Sequence, residues 1–295
     1  MLYNQITSQL ISFDEQKYLE LNPDVASTVI KGEFLSGLYH YLSYGYYENR
    51  DGGMIKMDKK VQNLLDSTKD IALPPSHLRI RVHSEDISTY KSIGKAVAFD
   101  VHFAIESYGV DLAKDSRILD FGCGCGRVIS WLIYLYEDSY FYGTDIDKEA
   151  ISWCQNNISE IGDFSVNENI PPFIYPDNYF SCIYSISVFT HLPEDMQFEW
   201  LKELHRVTKK NGLLMLSIHG EQLFPDSYHR LKKQFIENGF FYSIGQGTDG
   251  LPDFYQTVFH TEDYIKSKWS KFFKIVDIIK NGVANHQDLV ICRKI

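Results

Sequence analysis

Short apolar runs alternate with longer amphipathic stretches over about the last three-quarters of the chain. The runs predict strands, and the stretches between them predict helices. The predicted strands are Arg117–Phe121, Tyr140–Asp145, Phe164–Val166, Phe180–Ile186, Leu213–His219, Phe273–Ile279 and Leu289–Cys292. The predicted helices are Ile87–Tyr108, Arg127–Tyr136, Lys148–Ile158, Glu194–Lys209, Tyr228–Asn238 and Glu262–Lys271. Because such alternation is typical of βαβ units, we expect an α/β fold with a mainly parallel seven-stranded sheet.

The last two predicted strands are joined by a short connection, Lys280 to Asp288, which contains Asn281-Gly282. A parallel crossover needs about a dozen residues or more. We therefore expect an antiparallel last strand.

The amino-terminal part has a different texture. Pro23 suits a first helical position, and Leu38, Tyr41 and Leu42 form an i, i+3, i+4 stripe. We expect a helical module over 1–50, a linker over 51–76 with Pro74-Pro75, and the main domain over 77–295. The tyrosines between Tyr39 and Tyr47 are either the packing face of this module or a glycan-binding surface.

Composition narrows the classes of partner. The 295 residues carry a net charge of −10, which disfavours a broad nucleic-acid surface. The longest apolar run, Val128 to Tyr136, is too short for a membrane span, and the first ten residues lack the pattern of a signal peptide. Five irregularly spaced cysteines indicate reduced thiols, so we expect a cytoplasmic protein.

The most informative stretch is a glycine-rich turn after the first predicted strand. Asp120 is followed by alternate glycines at Gly122, Gly124 and Gly126, and then by a predicted helix. Asp145, at the tip of the second strand, suits a ribose diol. The dinucleotide fingerprint requires a glycine where Arg127 stands, and no P-loop is present. A purely structural turn is the alternative interpretation.

This set of residues resembles the cofactor motif of the class I S-adenosylmethionine-dependent methyltransferases. The resemblance continues through Phe180–Leu192, which corresponds to the fourth strand and its following turn, and through Trp200–Leu216. It implies a Rossmann-like fold, S-adenosylmethionine as cofactor and methyl transfer as activity. Ser181 replaces the acid usual in the fourth strand, and Lys210-Asn211-Gly212 replaces the usual Pro-Gly-Gly.

The resemblance also implies cofactor contacts for particular residues. Gly122, Gly124 and the backbone beside them would face the methionine and ribose parts, and Asp145 would bind the ribose diol. The remaining implied contacts are Ile146 on the adenine face, Asn167 at the adenine amino edge, Asp120 beneath the glycine turn and near the cofactor's amino group, and Cys123 and Ser185.

Two histidines are candidates for a catalytic base. His191 follows the fourth strand, at the sheet edge where α/β folds bind ligands, and an imidazole has a suitable intrinsic pKa. Its alternative role is to cap the helix that begins near Glu194, or to pack. His219, after the fifth strand, is the second candidate.

Metal binding is not expected. Cys123 and Cys125 lack the C-x₂₋₄-C spacing of zinc sites. Ser187, Thr190 and His191 are poor ligands for Mg²⁺. Small side chains in a glycine turn explain both cysteines more simply.

The 43 aromatic residues concentrate in two places, the amino-terminal tyrosines and an insertion over 220–261. We expect the insertion to shape the substrate pocket for a small-molecule or glycan acceptor methylated on oxygen or nitrogen. Residues 1–50 resemble a short module found beside bacterial glycosyltransferases, which suggests a homo-oligomer or a glycan-assembly partner. The alternatives are a non-catalytic S-adenosylmethionine-binding scaffold and an NAD-linked oxidoreductase.

Overall fold

The computed structural model describes residues 13–31, 36–52, 57–66, 69–82, 85–110, 112, 114–245 and 252–295. The first ten residues, for which the sequence predicts no signal peptide, lie outside the described residues, as do Gly32, Gly53 and part of the 220–261 insertion. No described helix is long and apolar enough to cross a membrane.

The helices and strands follow one another in the order expected for an α/β fold. The helices are α1 (Glu15–Leu21), α2 (Pro23–Ile30), α3 (Gly37–His40), α4 (Lys59–Asp66), α5 (Ser76–Val82), α6 (Ile87–Tyr108), α7 (Ile129–Leu132), α8 (Lys148–Asn157), α9 (Glu194–Val207), α10 (His229–Asn238) and α11 (Glu262–Lys268). The strands are β1 (Arg117–Phe121), β2 (Tyr140–Asp145), β3 (Asp163–Val166), β4 (Phe180–Ser185), β5 (Thr208–Ile218), β6 (Phe240–Ser243), β7 (Thr257–His260), β8 (Lys274–Val283) and β9 (Gln287–Arg293).

Seven of the described strands form one sheet in the order β3-β2-β1-β4-β5-β9-β8. Strands β1 to β5 pair in parallel, whereas β9 runs antiparallel to both β5 and β8. The predicted fold class and its antiparallel last strand are therefore confirmed. The chain order reverses between β1 and β4, and ligands of open α/β sheets bind at such a switch point.

One predicted helix is wrong in extent. The pattern predicts a helix over Arg127–Tyr136, but the α-helix covers only Ile129–Leu132. Along this stretch, backbone bonds from residue i to i−3 are mixed with bonds to i−4, for example from Trp131 to Val128 and from Tyr136 to Leu132. The apolar pattern reports which side chains are buried, and a tightened turn buries them as well as an α-helix does.

A second, two-stranded sheet lies within the insertion and was not predicted. Strand β6 pairs antiparallel with β7, from Phe240 opposite His260 to Ser243 opposite Thr257. The carbonyl groups of β7 and of the residues before it contact the loops after β4 and β5, as described below.

The amino-terminal helices pack onto the main domain. Tyr18, Val25, Leu38 and Leu42 belong to the same buried apolar cluster as Ile118 of β1. Tyr39 and Tyr41 are buried as well, whereas Tyr47 is 47% exposed. The buried part of the tyrosine group is thus packing surface.

Candidate active site

A cavity of about 410 Å³ lies where the parallel strands end. Its walls come from the residues that follow β1, β2, β3 and β4, with Leu78, Arg81 and Val82 of α5 closing one side. A cavity of this size suits a nucleoside-sized ligand.

The glycine turn after β1 brings backbone close to the cavity. Gly122 and Gly124 have φ angles of +83° and +51°, which side chains other than glycine rarely adopt. A Cβ atom on Gly122 would lie 2.1 Å from the Val188 side chain. The N–H groups of Gly122 and Cys123 both donate to the Thr144 carbonyl, at 2.8 and 3.0 Å, which joins this turn to the end of β2.

Asp145 lines the cavity at the tip of β2. Its Oδ2 accepts the Gly124 N–H at 2.7 Å, and its Oδ1 accepts the Asp147 N–H at 2.9 Å. Burial raises the pKa of this carboxyl, and the two backbone donors oppose that rise. Each oxygen keeps a second lone pair for a ligand hydroxyl.

Two further side chains fit the polar groups of S-adenosylmethionine. The Oδ1 of Asn167 is buried without a hydrogen-bond partner, while its Nδ2 donates to the Glu168 carbonyl. A buried acceptor of this kind is costly unless a ligand donor, such as the adenine amino group, reaches it. Asp120 also lines the cavity, and burial raises its pKa to about 8. An ammonium group is its natural counterion.

The structure brings most of the predicted cofactor residues to this one cavity. Its lining includes Asp120, Gly122, Cys123, Gly124, Asp145, Ile146 and Asn167. Ser185 is not in the lining, because it is fully buried in β4 and its hydroxyl donates to the Phe121 carbonyl at 2.8 Å.

The five cysteines are buried and unpaired. Burial raises the pKa of the Cys123 and Cys125 thiols, which disfavours the thiolate form that binds metals. No cluster of three or more His, Cys, Asp or Glu side chains suited to a metal ion occurs in the part of the chain that the structure describes.

His191 lines the same cavity, and the second sheet holds its ring. Its Nδ1 donates to the Gln256 carbonyl at 3.1 Å, which leaves Nε2 as an acceptor. The ring stacks on Tyr255 at a centroid distance of 4.0 Å. Burial lowers the pKa of His191 to about 4, so the imidazole is neutral at pH 7. It does not cap α9, which follows Pro193 without a side-chain cap.

His219 lies behind His191 and does not line the cavity. The two ring centroids are 6.1 Å apart, and the Nδ1 of His219 donates to the Val258 carbonyl at 3.1 Å. Burial also lowers the pKa of His219 to about 4.

Sequence reasoning did not assign a role to three residues of the cavity. In the sequence, Arg127 is notable only as the residue that breaks the dinucleotide motif, and its position beside the third glycine is the available signal. Tyr255 was one of many aromatics in the insertion. Ser187 has a φ of +61°, and its N–H donates to the Ser217 hydroxyl at 2.7 Å, which only the tertiary structure reveals.

Only two of the aromatics noted in the insertion line the cavity, Phe254 and Tyr255. Phe224, Phe235 and Phe259 form a separate buried cluster against which Tyr228 and Phe241 pack. Most of the aromatic excess of the insertion is therefore core, and a small part of it faces the cavity.

Comparison with known proteins agrees with this geometry. Residues 119–216, about a third of the chain, match the protein family described as a methyltransferase domain. The O-methyltransferase 3 of Dictyostelium discoideum is 26% identical over 118 residues, which are 37% of this chain and 27% of that protein. The rRNA N(6)-adenosine-methyltransferase metl-5 of Caenorhabditis elegans is 36% identical over 45 residues, which are 15% of this chain and 21% of that protein.

The match therefore spans only about a quarter of the length of either relative. Among solved structures, a SAM-dependent methyltransferase from Aquifex aeolicus superposes with a TM-score of 0.50 at 16% identity, covering 76% of this chain and 100% of that one. This likeness concerns the fold. Residues 119–216 are thus similar to methyltransferase domains, and the sheet around them has the Rossmann-like class I arrangement.

Proposed function

We propose that this protein is an S-adenosylmethionine-dependent methyltransferase that methylates an oxygen or nitrogen of a small molecule or glycan without a metal ion. One observation carries the proposal. A single cavity is lined by Asp145 and Asn167, whose polar groups fit the cofactor, and by His191, whose neutral ring keeps Nε2 as a hydrogen-bond acceptor.

S-adenosylmethionine, when bound, supplies a methyl group on a sulfonium that an in-line nucleophile displaces. The residues of the chain orient both partners and exclude water, and such positioning supplies much of the rate of a displacement. Asp145 would hold the ribose hydroxyls, and Asn167 would accept from the adenine amino group. His191 would accept the proton that an oxygen or nitrogen nucleophile loses, at its free Nε2.

The cavity wall beyond the glycine turn favours an uncharged acceptor. The lining residues from the loop after β4 and from the second sheet include Ile186, Val188, His191, Tyr255 and Thr257, and none of them is charged at pH 7. The charged lining residues come from α5, from the ends of β1 and β2, and from the residues that directly follow the glycine turn and β2. This supports a neutral hydroxylated or aminated acceptor.

Calorimetry and a turnover assay test the proposal in sequence. The full chain should bind S-adenosylmethionine, and it should release S-adenosylhomocysteine when a panel of phenols, amines and glycans is supplied, with or without a chelator. Binding of NAD in place of S-adenosylmethionine would overturn the cofactor assignment. Cofactor binding with no turnover on any acceptor would favour the scaffold alternative.

The remaining expectations stay predictions. They are the boundaries at residues 50 and 76, the role of 220–261 in acceptor choice, and a partner or second copy bound through residues 1–50. Five buried thiols without a disulfide suit a reducing compartment, which supports a cytoplasmic location.

A further inference from the structure

Arg127 is a half-buried cation that has neither a hydrogen bond nor an ion pair in the described part of the chain. It follows the third glycine of the turn and lines the cavity. Its Nη1 atom is buried without a hydrogen bond, and no ion pair to it occurs among the described residues. Removing an unpaired charge from water is costly, so such groups are usually compensated by a ligand or a counterion.

The surrounding fold holds this guanidinium in place. Helix α6 passes so close that a Cβ atom on Gly94 would lie 2.6 Å from Cγ of Arg127. The guanidinium carbon lies 5.4 Å from the centroid of the Tyr90 ring, which offsets only part of the cost of burial. The hydroxyl groups of Tyr90 and Tyr39 are likewise buried without hydrogen-bond partners.

Asp120 is a buried carboxyl group in the lining of this cavity. The two side chains are near enough for the Arg127 charge to lower the pKa of Asp120, but no ion pair joins them. An acid and a base that line one cavity without pairing are complementary to a zwitterion. The methionine end of the cofactor has an ammonium group and a carboxylate on one carbon.

We propose that Arg127 binds the carboxylate at the amino-acid end of the cofactor, opposite Asp120, which receives the ammonium group. This rests on the proposed function, because it presumes that the cavity binds S-adenosylmethionine. Arginine suits the role because its planar donors match a carboxylate with two parallel hydrogen bonds.

A comparison of two ligands distinguishes the binding of the amino-acid end from the binding of the rest of the cofactor. S-adenosylhomocysteine carries the amino-acid end, whereas 5′-methylthioadenosine has the same nucleoside and sulfur without it. Measured by calorimetry, Arg127→Met should weaken the binding of S-adenosylhomocysteine about 10- to 100-fold and the binding of 5′-methylthioadenosine less than about threefold. Arg127→Lys keeps the positive charge but not the planar pair of donors, so its affinity for S-adenosylhomocysteine should lie between those of the wild type and Arg127→Met.

Arg81 offers a matched control. It lines the same cavity but already pairs with Asp147 and Glu149 at 2.8 and 2.9 Å. Arg81→Met should therefore change the affinity for both ligands by the same factor. An equal effect of Arg127→Met on both ligands, or no effect on either, would overturn the inference.

The outcomes also distinguish this inference from the proposed function. If the wild type binds neither ligand, the proposed function fails; if it binds both and Arg127→Met does not discriminate, only the inference fails. Should Arg127→Met not fold, decarboxylated S-adenosylhomocysteine tests the wild type directly. This analogue keeps the amine and should bind about tenfold weaker or worse, and equal affinity would contradict a carboxylate site.

Discussion

At the scale of single residues, the cofactor side of the cavity is pre-assembled by backbone hydrogen bonds. The Asp145 carboxylate accepts hydrogen bonds from the N–H groups of Gly124 and Asp147. The sequence makes this possible because the acid ends β2 while the glycine turn ends the neighbouring strand β1. The role of Asp145 can therefore be tested without disturbing the core.

Asp145→Asn should weaken binding of S-adenosylhomocysteine about 10- to 100-fold, because the amide presents one acceptor oxygen and places a donor against backbone N–H groups. Calorimetry measures the loss. Asp163→Asn, at the exposed start of β3, is the control and should bind as the wild type does. Wild-type affinity of Asp145→Asn would remove this residue from the cofactor site.

His191→Gln should lower turnover about 10²- to 10⁴-fold and leave the dissociation constant of S-adenosylhomocysteine within threefold. Because burial lowers the pKa of His191 to about 4, the base form persists at neutral pH, and the acid limb of the rate profile due to this group should lie below pH 5. His205→Gln is the control, since that ring packs on Phe273 outside the cavity. Unchanged turnover of His191→Gln would leave only a structural role.

At the scale of elements, the second sheet connects the loops that carry the two histidines. The N–H of Val258 donates to the Thr190 carbonyl at 2.8 Å, and its carbonyl accepts from His219. The His260 N–H donates to the His219 carbonyl at 2.9 Å. Strand β7 thus fixes the loops after β4 and β5 relative to each other.

Val258→Pro should lower turnover strongly, because proline lacks the N–H that binds Thr190 and cannot keep its place in the β6–β7 ladder. Affinity for S-adenosylhomocysteine should stay within about threefold, since β1 and β2 are untouched. Val258→Ala keeps the N–H and is the matched control for lost packing. If both variants lose turnover equally, the hydrogen bond to Thr190 has no role in positioning His191.

At the scale of the whole molecule, three histidines with lowered pKa values make stability depend on pH. Burial lowers the pKa of His191 and His219 to about 4 and that of His260 to about 3. As pH falls below 6.5, the unfolded chain binds protons that the folded chain does not, so the free energy of unfolding decreases. Asp120 acts in the opposite direction, because burial raises its pKa and the folded chain keeps its proton up to about pH 8.

Together these three histidines and Asp120 give a net uptake of about one and a half protons on unfolding between pH 6 and pH 4.5. These four groups should therefore lower the free energy of unfolding by about 2 kcal/mol per pH unit over this range. Urea titrations at several pH values measure this slope. Glutamine does not titrate, so in His260→Gln the number of protons taken up on unfolding should fall by about one and the slope should decrease accordingly. An unchanged slope in that variant would contradict the buried neutral state of His260.

Several elements could be predicted because their signals are local. The β1 strand, the glycine turn and Asp145 follow directly from residue type and spacing, and helix α6 has the bounds that its apolar pattern predicts. The predicted bounds of helix α7 were wrong because a periodic pattern of apolar residues does not distinguish an α-helix from tightened turns. The second sheet was not predicted because each of its strands has only four residues and the two strands pair across a long connection.

The sequence by itself thus determined the fold class and the acid and glycines that line the cavity. These depend on interactions between neighbours in the chain and on the shared edge of parallel strands. Only the tertiary structure shows that His191 lines the cavity whereas His219 does not, and that Ser185 is buried in β4. It likewise reveals that Tyr255 stacks on His191 and that Arg127 has no hydrogen bond or ion pair. Those outcomes depend on contacts between residues far apart in the chain, which no local pattern encodes.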